Sequence, residues 1–492
     1  MDPNHTPDLD MSAVTDAKSN TMFRESTPKR VRFDVPDGPP GSSTSKASVS
    51  NEADSAGQPE RSYQSCEAGE TGEASVEKDG DNDKTPTGPL YMYPSFDDVE
   101  NIEYYRPGGY HPVRIGDRIG GRYKIIHKLG YGGFRTVWLA RDTEKQRYVA
   151  LKITLADFSK DTMEKDLKIL KHLAEHVERP GGSFVEIPIE DFWITGPNGK
   201  HLCIVSEVAG PSIAHLTRTY NSKIEPQDAR RMALQITQCL AFLHSGKVGV
   251  AHGDLTTSNV LLELGNLDSL PQDKLLEILG EPVAEQVRPY TDKTLGPSAP
   301  DFLYHSAAMT RLSNFFTGNI IVIDFGNSFF LDKPPAGLSK PPAQFCSPEL
   351  IVQKQKSRPS DVWALACTIF EVRAEIPLFE SFIFGDEDVL ESMIGTLGPL
   401  PEQYLPHLEN EGYNWLKDVE GDGEELGDMV DHIEGILEDE KIALCDLLRQ
   451  ALRYDVEERL TADEVLRHPW FSFQLQVGAK ESGSGHDHVP SA

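Results

Sequence analysis

The chain has 492 residues, with 78 Asp and Glu against 48 Lys and Arg, a formal net charge of −30 and an isoelectric point near 4.9. Such a surface repels nucleic acid and anionic membrane, so direct nucleic-acid binding is not expected, and basic peptides are the favoured partners. No stretch approaches the roughly 18 uncharged apolar residues of a membrane span, and the opening Met1-Asp2-Pro3-Asn4-His5 lacks the apolar run of a signal peptide. The six cysteines are scattered, without a CxxC pair, which fits a reducing setting, cytoplasm and/or nucleus.

In chain order, residues 1–95 read as a disordered, acidic and polar tail: the first 90 residues hold three aromatics, Phe23, Phe33 and Tyr63. That is too little apolar surface to offset the entropy of ordering them. A lead-in segment follows at 96–122, then a small β-rich lobe at 123–208 and a larger helical lobe at 209–473, and a polar tail at 474–492. The small lobe opens on a glycine-rich hairpin, Leu129-Gly130-Tyr131-Gly132-Gly133-Phe134-Arg135-Thr136-Val137, whose backbone amides can approach the phosphates of ATP because glycine has no side chain to intervene. Arg135 stands where such loops carry their third glycine, and its side chain is expected to point outward. Fifteen residues after Val137 comes Lys152, in the apolar strand Val149-Ala150-Leu151-Lys152, placed to reach the α- and β-phosphates. Residues 161–173 have helical spacing, with Met163, Leu167, Leu170 and Leu173 on one stripe, and two strand-like runs follow at 184–195 and 201–208.

In the larger lobe an amphipathic helix at 227–244 delivers the chain to His252-Gly253-Asp254-Leu255-Thr256-Thr257-Ser258-Asn259. Some sixty residues on stands Asp324-Phe325-Gly326; each motif sits behind an apolar, strand-like run. The pattern suits phosphoryl transfer, in which the protein places a hydroxyl in line with the γ-phosphate and neutralises charge with a metal ion. Asp254 would orient the hydroxyl and take its proton. Asn259 and Asp324 offer the hard oxygens that Mg²⁺ prefers. His252 is read as a packed structural residue rather than an acid or base.

These motifs resemble the eukaryotic protein-kinase superfamily over about 120–473. Within it the chain is most similar to the SR-protein kinase (SRPK) family, in its fungal branch. The residues that carry this are Tyr104-Tyr105-Arg106-Pro107-Gly108-Gly109-Tyr110-His111-Pro112-Val113, Gly121-Arg122-Tyr123, Thr136-Val137-Trp138-Leu139, His201-Leu202-Cys203-Ile204-Val205, and Leu275-Leu276-Glu277-Ile278-Leu279-Gly280-Glu281-Pro282 in an insert at 263–318. The resemblance implies an α+β, bilobal kinase fold, use of ATP and Mg²⁺, and phosphorylation of serines in Arg/Ser-rich proteins by a monomeric enzyme. It implies a nucleotide site of Leu129, Gly130, Gly132, Gly133, Val137, Ala150, Lys152, Glu207, Ala209 and Asn259, with Ser206 as a small gatekeeper. It also implies that the helix acid paired with Lys152 is Asp166, where kinases carry Glu, with Glu164 as the alternative. Ser347-Pro348-Glu349 closes the activation segment, Arg459 is the partner expected for Glu349, and Asp361 should cap the catalytic-loop backbone.

Two departures stand in the catalytic loop. Gly253 replaces the arginine that binds a phosphorylated activation loop, which implies activity without such phosphorylation; Thr256 replaces the lysine that contacts the γ-phosphate. With Arg135 and Asp166 they leave open a catalytically weak pseudokinase scaffold, and the loop's likeness to tRNA-modification and aminoglycoside kinases leaves open a small-molecule or minimal kinase. Residues 418–440 hold eleven Asp and Glu and no Lys or Arg, a segment able to steer an arginine-rich substrate. In the tail, Lys29-Arg30-Val31-Arg32-Phe33 has the form of a docking peptide for type-one protein phosphatase, anchored by Val31 and Phe33, or of a nuclear-import patch. Thr27-Pro28 and Thr85-Pro86 are candidate sites for proline-directed kinases.

Overall fold

Strands with apolar residues on both faces form the middle of the first lobe. The computed structural model describes residues 30–31, 89–95, 98–219, 223–291, 294–335, 340–381, 385–419, 421 and 425–472. After a two-residue strand β1 (Arg30–Val31), the small lobe is a sheet of β2 (Arg118–Ile119), β3 (Tyr123–Gly132), β4 (Arg135–Asp142), β5 (Arg147–Thr154), β6 (Glu190–Gly196) and β7 (Gly199–Ser206), in the order β2-β3-β4-β5-β7-β6 with antiparallel pairing throughout. β5 is central and almost wholly buried. Its alternation sends Val149, Leu151 and Ile153 into a core with Trp138, Cys203 and Val205, and so turns Ala150 and Lys152 to the opposite face.

The stripe expected at 161–173 is broken into α1 (Ser159–Glu164) and α2 (Asp166–Ala174) at Lys165, whose φ of −108° and ψ of −74° stay right-handed but depart from regular α-helix values. Leu167, Leu170 and Leu173 are buried on α2. Of the run expected at 184–195, Glu190 onward is strand; Gly182–Phe184 is a 3₁₀ turn and Val185 only bridges Val322.

The larger lobe is assembled around two long helices. After β8 (Ala209–Ser212) and β9 (Lys223–Ile224) comes α3 (Pro226–His244), then β10 (Val250–Ala251), β11 (Val260–Leu264), α4 (Gln272–Leu279), β12 (Ala284–Gln286), β13 (Phe302–Tyr304), β14 (Phe316–Val322) and β15 (Phe329–Phe330). The chain continues as α5 (Pro348–Gln353), α6 (Arg358–Ala374), α7 (Asp386–Leu397), α8 (Leu405–Glu411), α9 (Glu425–Asp431), α10 (Glu438–Ala451) and α11 (Ala462–Leu466). Met232, Ile236, Leu240 and Leu243 of α3 and Trp363, Leu365, Ile369 and Phe370 of α6 are buried in one core. Burial of this order contributes about 1.5–3 kcal/mol per large apolar side chain, enough to hold the catalytic loop above it on a rigid base. β1 pairs in parallel with β9. The remainder of the N-terminal tail up to 88, Phe33 included, and residues 473–492 lie outside the described residues.

The insert packs on the small lobe. Leu267, Leu275, Leu279, Met309 and Leu312 share a core with Ile126, Leu139 and Tyr148, and Val287, Ala299 and Leu303 share another with Val99, Ile102, Tyr105 and Tyr110 of the lead-in. Polar contacts fix the register: Asp268 accepts the Tyr148 N–H at 2.6 Å, and Lys128 O accepts the Ala307 N–H at 2.8 Å. Lys128, fully buried, forms an ion pair with buried Glu100 of the lead-in. Insert and lead-in together therefore grip the strand that carries the glycine-rich hairpin.

Candidate active site

Strand register builds the upper half of the cleft. β3 and β4 are joined by a two-residue turn, Gly133-Phe134, with Gly132 opposite Arg135 and Gly130 opposite Val137. Val137 in turn lies opposite Lys152 on β5. Because side chains alternate along a strand, Arg135 and Val137 share the face of Lys152, while buried Thr136 faces away. A Cβ on Gly130, Gly132 or Gly133 would meet no atom within 4 Å, so this hairpin has room for a ligand beneath its backbone amides. Its tip is held from outside: Tyr110 of the lead-in donates its hydroxyl to Gly132 O at 2.7 Å.

Two sequence expectations are corrected here. Arg135 does not point outward: its guanidinium lies 3.3 Å from Asp166 Oδ2 and 3.8 Å from Asp324 Oδ1, with only 19% of the side chain exposed. Lys152 does not pair with Asp166; its ammonium donates instead to Glu186, on the segment between Val185 and β6. The physical reason is geometric. Asp166 is the first residue of α2 and one methylene shorter than Glu, and Arg135 reaches it first. Glu186 is anchored by its own N–H to Val322 O at 3.0 Å, which brings it under β5. Glu164, the alternative partner, is exposed and faces Lys160.

The lower half is held by backbone contacts. Asp361, near the start of α6, accepts the His252 N–H at 2.7 Å and the Gly253 N–H at 2.8 Å, and also meets His244 Nε2 at 2.9 Å. His252 is fully buried, its ring packed on Phe325 at 5.0 Å between centroids and one nitrogen 3.2 Å from Ile323 O. Burial lowers its pKa, which suits a packing role. Gly253 has φ +75°, and a Cβ there would stand 2.4 Å from Asn327 O. The loop conformation itself therefore excludes an arginine at this position. Glu349 and Arg459 form a buried bidentate pair at 2.7 and 3.0 Å.

Between the halves, Asn259 Nδ2 donates to Asp254 O at 2.9 Å, and Asn327 Nδ2 lies 3.4 Å from Asp254 Oδ2. Asp254 Oδ1 is buried without a hydrogen-bond partner. Burial, followed by the charge of Asp324, pushes the Asp254 carboxyl up to about 7. Burial likewise leads in raising Asp166 to about 6, against the Arg135 charge. Burial also raises Asp324, but the Arg135 and Lys152 charges outweigh it and hold that carboxyl below its ordinary value. Asp324 is in the left-handed region at φ +63°, with Oδ1 accepting the Gly326 N–H at 3.3 Å. An orphaned carboxylate oxygen, an amide beside it, an ionised carboxylate across from it and open space under three glycines fit a polyphosphate with a hard divalent cation.

At the back of this site Ala150 and Ser206 are opposite each other on β5 and β7, both buried. Leu129 is partly buried against the insert core, and Ala209, at the start of β8, is half-buried. Glu207 is largely exposed and meets Arg147 at 3.5 Å. Thr256 is buried. Three residues that sequence reasoning passed over belong to the arrangement: Glu186, Asn327 and Lys356. Asn327 follows the Asp-Phe-Gly motif directly, so adjacency could have flagged it. Glu186 sits outside any helix or strand, and no periodicity marks it. Lys356 is partly buried before α6; burial lowers its pKa against the pull of the Asp254 and Asp361 charges.

The acidic segment is less free than its composition suggests. Glu440 is buried and bidentate to Arg373, Glu434 meets Lys223, and Asp431 meets Lys441. Among the described residues no helix is long and apolar enough to cross a membrane.

Comparison with known proteins agrees with this architecture. The protein kinase domain model matches residues 123–273 and 310–471, leaving out most of the insert. A serine/threonine protein kinase of Aspergillus fumigatus is 30% identical over 400 residues, covering 78% of this chain and 94% of its own. Serine/threonine-protein kinase SRPK of Physarum polycephalum is 29% identical over 396 residues, 76% of this chain and 91% of its own. Human SRSF protein kinase 3 is 35% identical over 173 residues, 35% of this chain and 30% of its own. A crystallised kinase domain superposes with a TM-score of 0.52 at 21% identity, covering 73% of this chain and 98% of that one, which speaks for the fold alone. Matched through both lobes, and over 78% of its length by its Aspergillus relative, the chain belongs to the protein-kinase family as an SRPK-like, ATP-using serine/threonine kinase.

Proposed function

We propose that this kinase transfers the γ-phosphoryl group of Mg-ATP to serines in Arg/Ser-rich basic proteins, in the cytoplasm and/or nucleus. The observation that carries the reading is Asp254: a half-buried carboxylate with one oxygen buried and unpartnered, beside Asn259 and Asn327. Asp254 would orient the substrate hydroxyl and take its proton, and a carboxyl pushed up to about 7 is matched to that task near neutral pH. Lys152, oriented by Glu186 rather than Asp166, would bind the α- and β-phosphates under Gly130, Gly132 and Gly133. Asn259 and Asp324 would hold the divalent cation, which supplies charge neutralisation on the phosphates when bound. Leu129, Val137, Ala150, Glu207 and Ala209 would bound the adenine.

Activity without activation-loop phosphorylation is supported by Gly253, whose positive φ leaves no place for a phosphate-binding arginine. An arginine-rich substrate is supported by the net charge of −30, although part of the 418–440 segment is spent on internal ion pairs. The scaffold reading has one observation in its favour, the Arg135 contact with Asp324. Phosphatase docking through Val31 would have to displace the pairing of β1 with β9.

The deciding experiment is Mg-dependent transfer of ³²P from ATP to an Arg/Ser repeat peptide, with Asp324→Ala as blank and a Lys-rich serine peptide as comparator. Incorporation into the Arg/Ser peptide alone, abolished in the blank, is expected. Absence of transfer by demonstrably folded protein would select the scaffold, and equal use of both peptides would remove the substrate assignment.

A further inference from the structure

Arg135 holds a permanent charge at the end of the glycine-rich hairpin, on the cleft face, two residues along β4 from Val137 and its cross-strand neighbour Lys152. Its guanidinium meets Asp166 at 3.3 Å and Asp324 at 3.8 Å, bridging the hairpin, α2 and the Asp-Phe-Gly motif. One guanidinium nitrogen, Nη2, meets both carboxylates, which leaves the rest of the planar fork for phosphate oxygens, whose geometry it matches. Across the cleft the catalytic loop lacks a cation where its family carries lysine, for Thr256 is neutral and buried. The catalytic loop has thus lost one charge, with Lys356 the cation that acts on Asp254 from outside the loop, and the hairpin in the roof has gained one.

We propose that Arg135 is a phosphate-binding residue of the nucleotide site, releasing Asp324 to the divalent cation and gripping the γ-phosphate, and so supplying the charge that Thr256 does not. The proposal rests on the ATP-binding reading above. It separates Arg135 from Lys152: the lysine serves the α- and β-phosphates, common to ADP and ATP, whereas Arg135 serves the group present only in ATP.

The test is calorimetric binding of AMP-PNP and of ADP to the full chain, each with Mg²⁺ and with EDTA, in the wild type, R135S and R135K. Wild type is expected to bind AMP-PNP more tightly than ADP and to keep part of that preference in EDTA, where no metal bridges the phosphates. R135S is expected to lose about tenfold or more in AMP-PNP affinity, the usual worth of a charge-assisted hydrogen bond, while ADP affinity changes less than about twofold. R135K, with charge but no fork, should fall between. R135Q, neutral and of similar length, gives the same comparison if R135S fails to fold. An unchanged AMP-PNP to ADP ratio in R135S overturns the proposal, and tighter AMP-PNP binding in R135S overturns it by making Arg135 a competitor of the nucleotide. Failure of folded wild type to bind either nucleotide with Mg²⁺ overturns the nucleotide-site reading itself, and this proposal with it.

Discussion

The two halves of the cleft are built by different means. Below it, the catalytic loop hangs from main-chain hydrogen bonds to one buried carboxylate, Asp361, and the start of the helix that carries Asp361 is held at Pro359 O by Arg459, itself in a buried ion pair with Glu349. Above it, Lys152 and Arg135 reach their partners through long side chains that cross between elements, and both pairs retain some solvent exposure. Contacts to backbone leave little choice of partner once the loop is formed. Contacts between flexible side chains leave several, and here the chain has taken a different set from the usual one: Lys152 with Glu186, Arg135 with Asp166. The lower half is thus a fixed frame and the upper half an arrangement that exchange of a single carboxylate could rewire.

The largest effect that would test this contrast lies in the frame. Glu349→Gln leaves the Arg459 side chain, 0% exposed, without its counter-ion. Loss of one partner of a buried pair costs about 3–5 kcal/mol, so chemical denaturation should show a loss of that size. A loss under about 1 kcal/mol would mean the frame is no more rigid than the roof.

Next is the carboxylate that the frame holds unsatisfied. Asp254 is raised from an ordinary 3.8 to about 7, first by burial. The folded chain therefore keeps a proton that the unfolded chain releases, and this group's contribution to stability falls as pH rises from about 4 to about 7. Asp254→Asn cannot ionise, so it should be more stable than wild type by an amount on the order of 2 kcal/mol at pH 8, an advantage that vanishes near pH 4. Melting curves at the two pH values measure it, and an advantage independent of pH would show that Asp254 is not buried as described.

In the roof, Glu186→Gln is expected to raise the KM for ATP about tenfold, an effect of about 1.4 kcal/mol, because Lys152 loses the anion that orients it. Asp166→Asn should raise it less. Steady-state kinetics at varied ATP decide between them, and the reverse order would restore Asp166 as the partner of Lys152 in the working enzyme. The smallest effect is expected from Tyr110→Phe, which removes the hydroxyl that holds Gly132 O from the lead-in. One neutral hydrogen bond contributes about 1 kcal/mol, so ATP affinity should fall about fivefold with kcat little changed.

Much of the larger lobe was legible because its signals are local. His252 to Asn259, Asp324-Phe325-Gly326 and Ser347-Pro348-Glu349 are contiguous, and the long apolar periodicity around residues 227–244 could only be a core helix. Expectations weakened where the signal was a single position. The stripe at 161–173 concealed a break at Lys165, since a helix that restarts one residue later keeps nearly the same face. Arg135 was read as outward from its departure from pattern, although the alternation from Lys152 through Val137 already placed it inside the cleft.

By itself the sequence determined the fold class, the order of the lobes, the glycine-rich hairpin and the positions of Asp254, Asn259 and Asp324, because each is written in short-range pattern. Only the tertiary structure decided which carboxylate meets Lys152, where Arg135 points, and that the insert and lead-in clasp the small lobe through Lys128, Tyr148 and Tyr110. Those contacts join residues far apart in the chain. Their partners depend on how elements are spaced across the cleft, a distance that no local periodicity encodes.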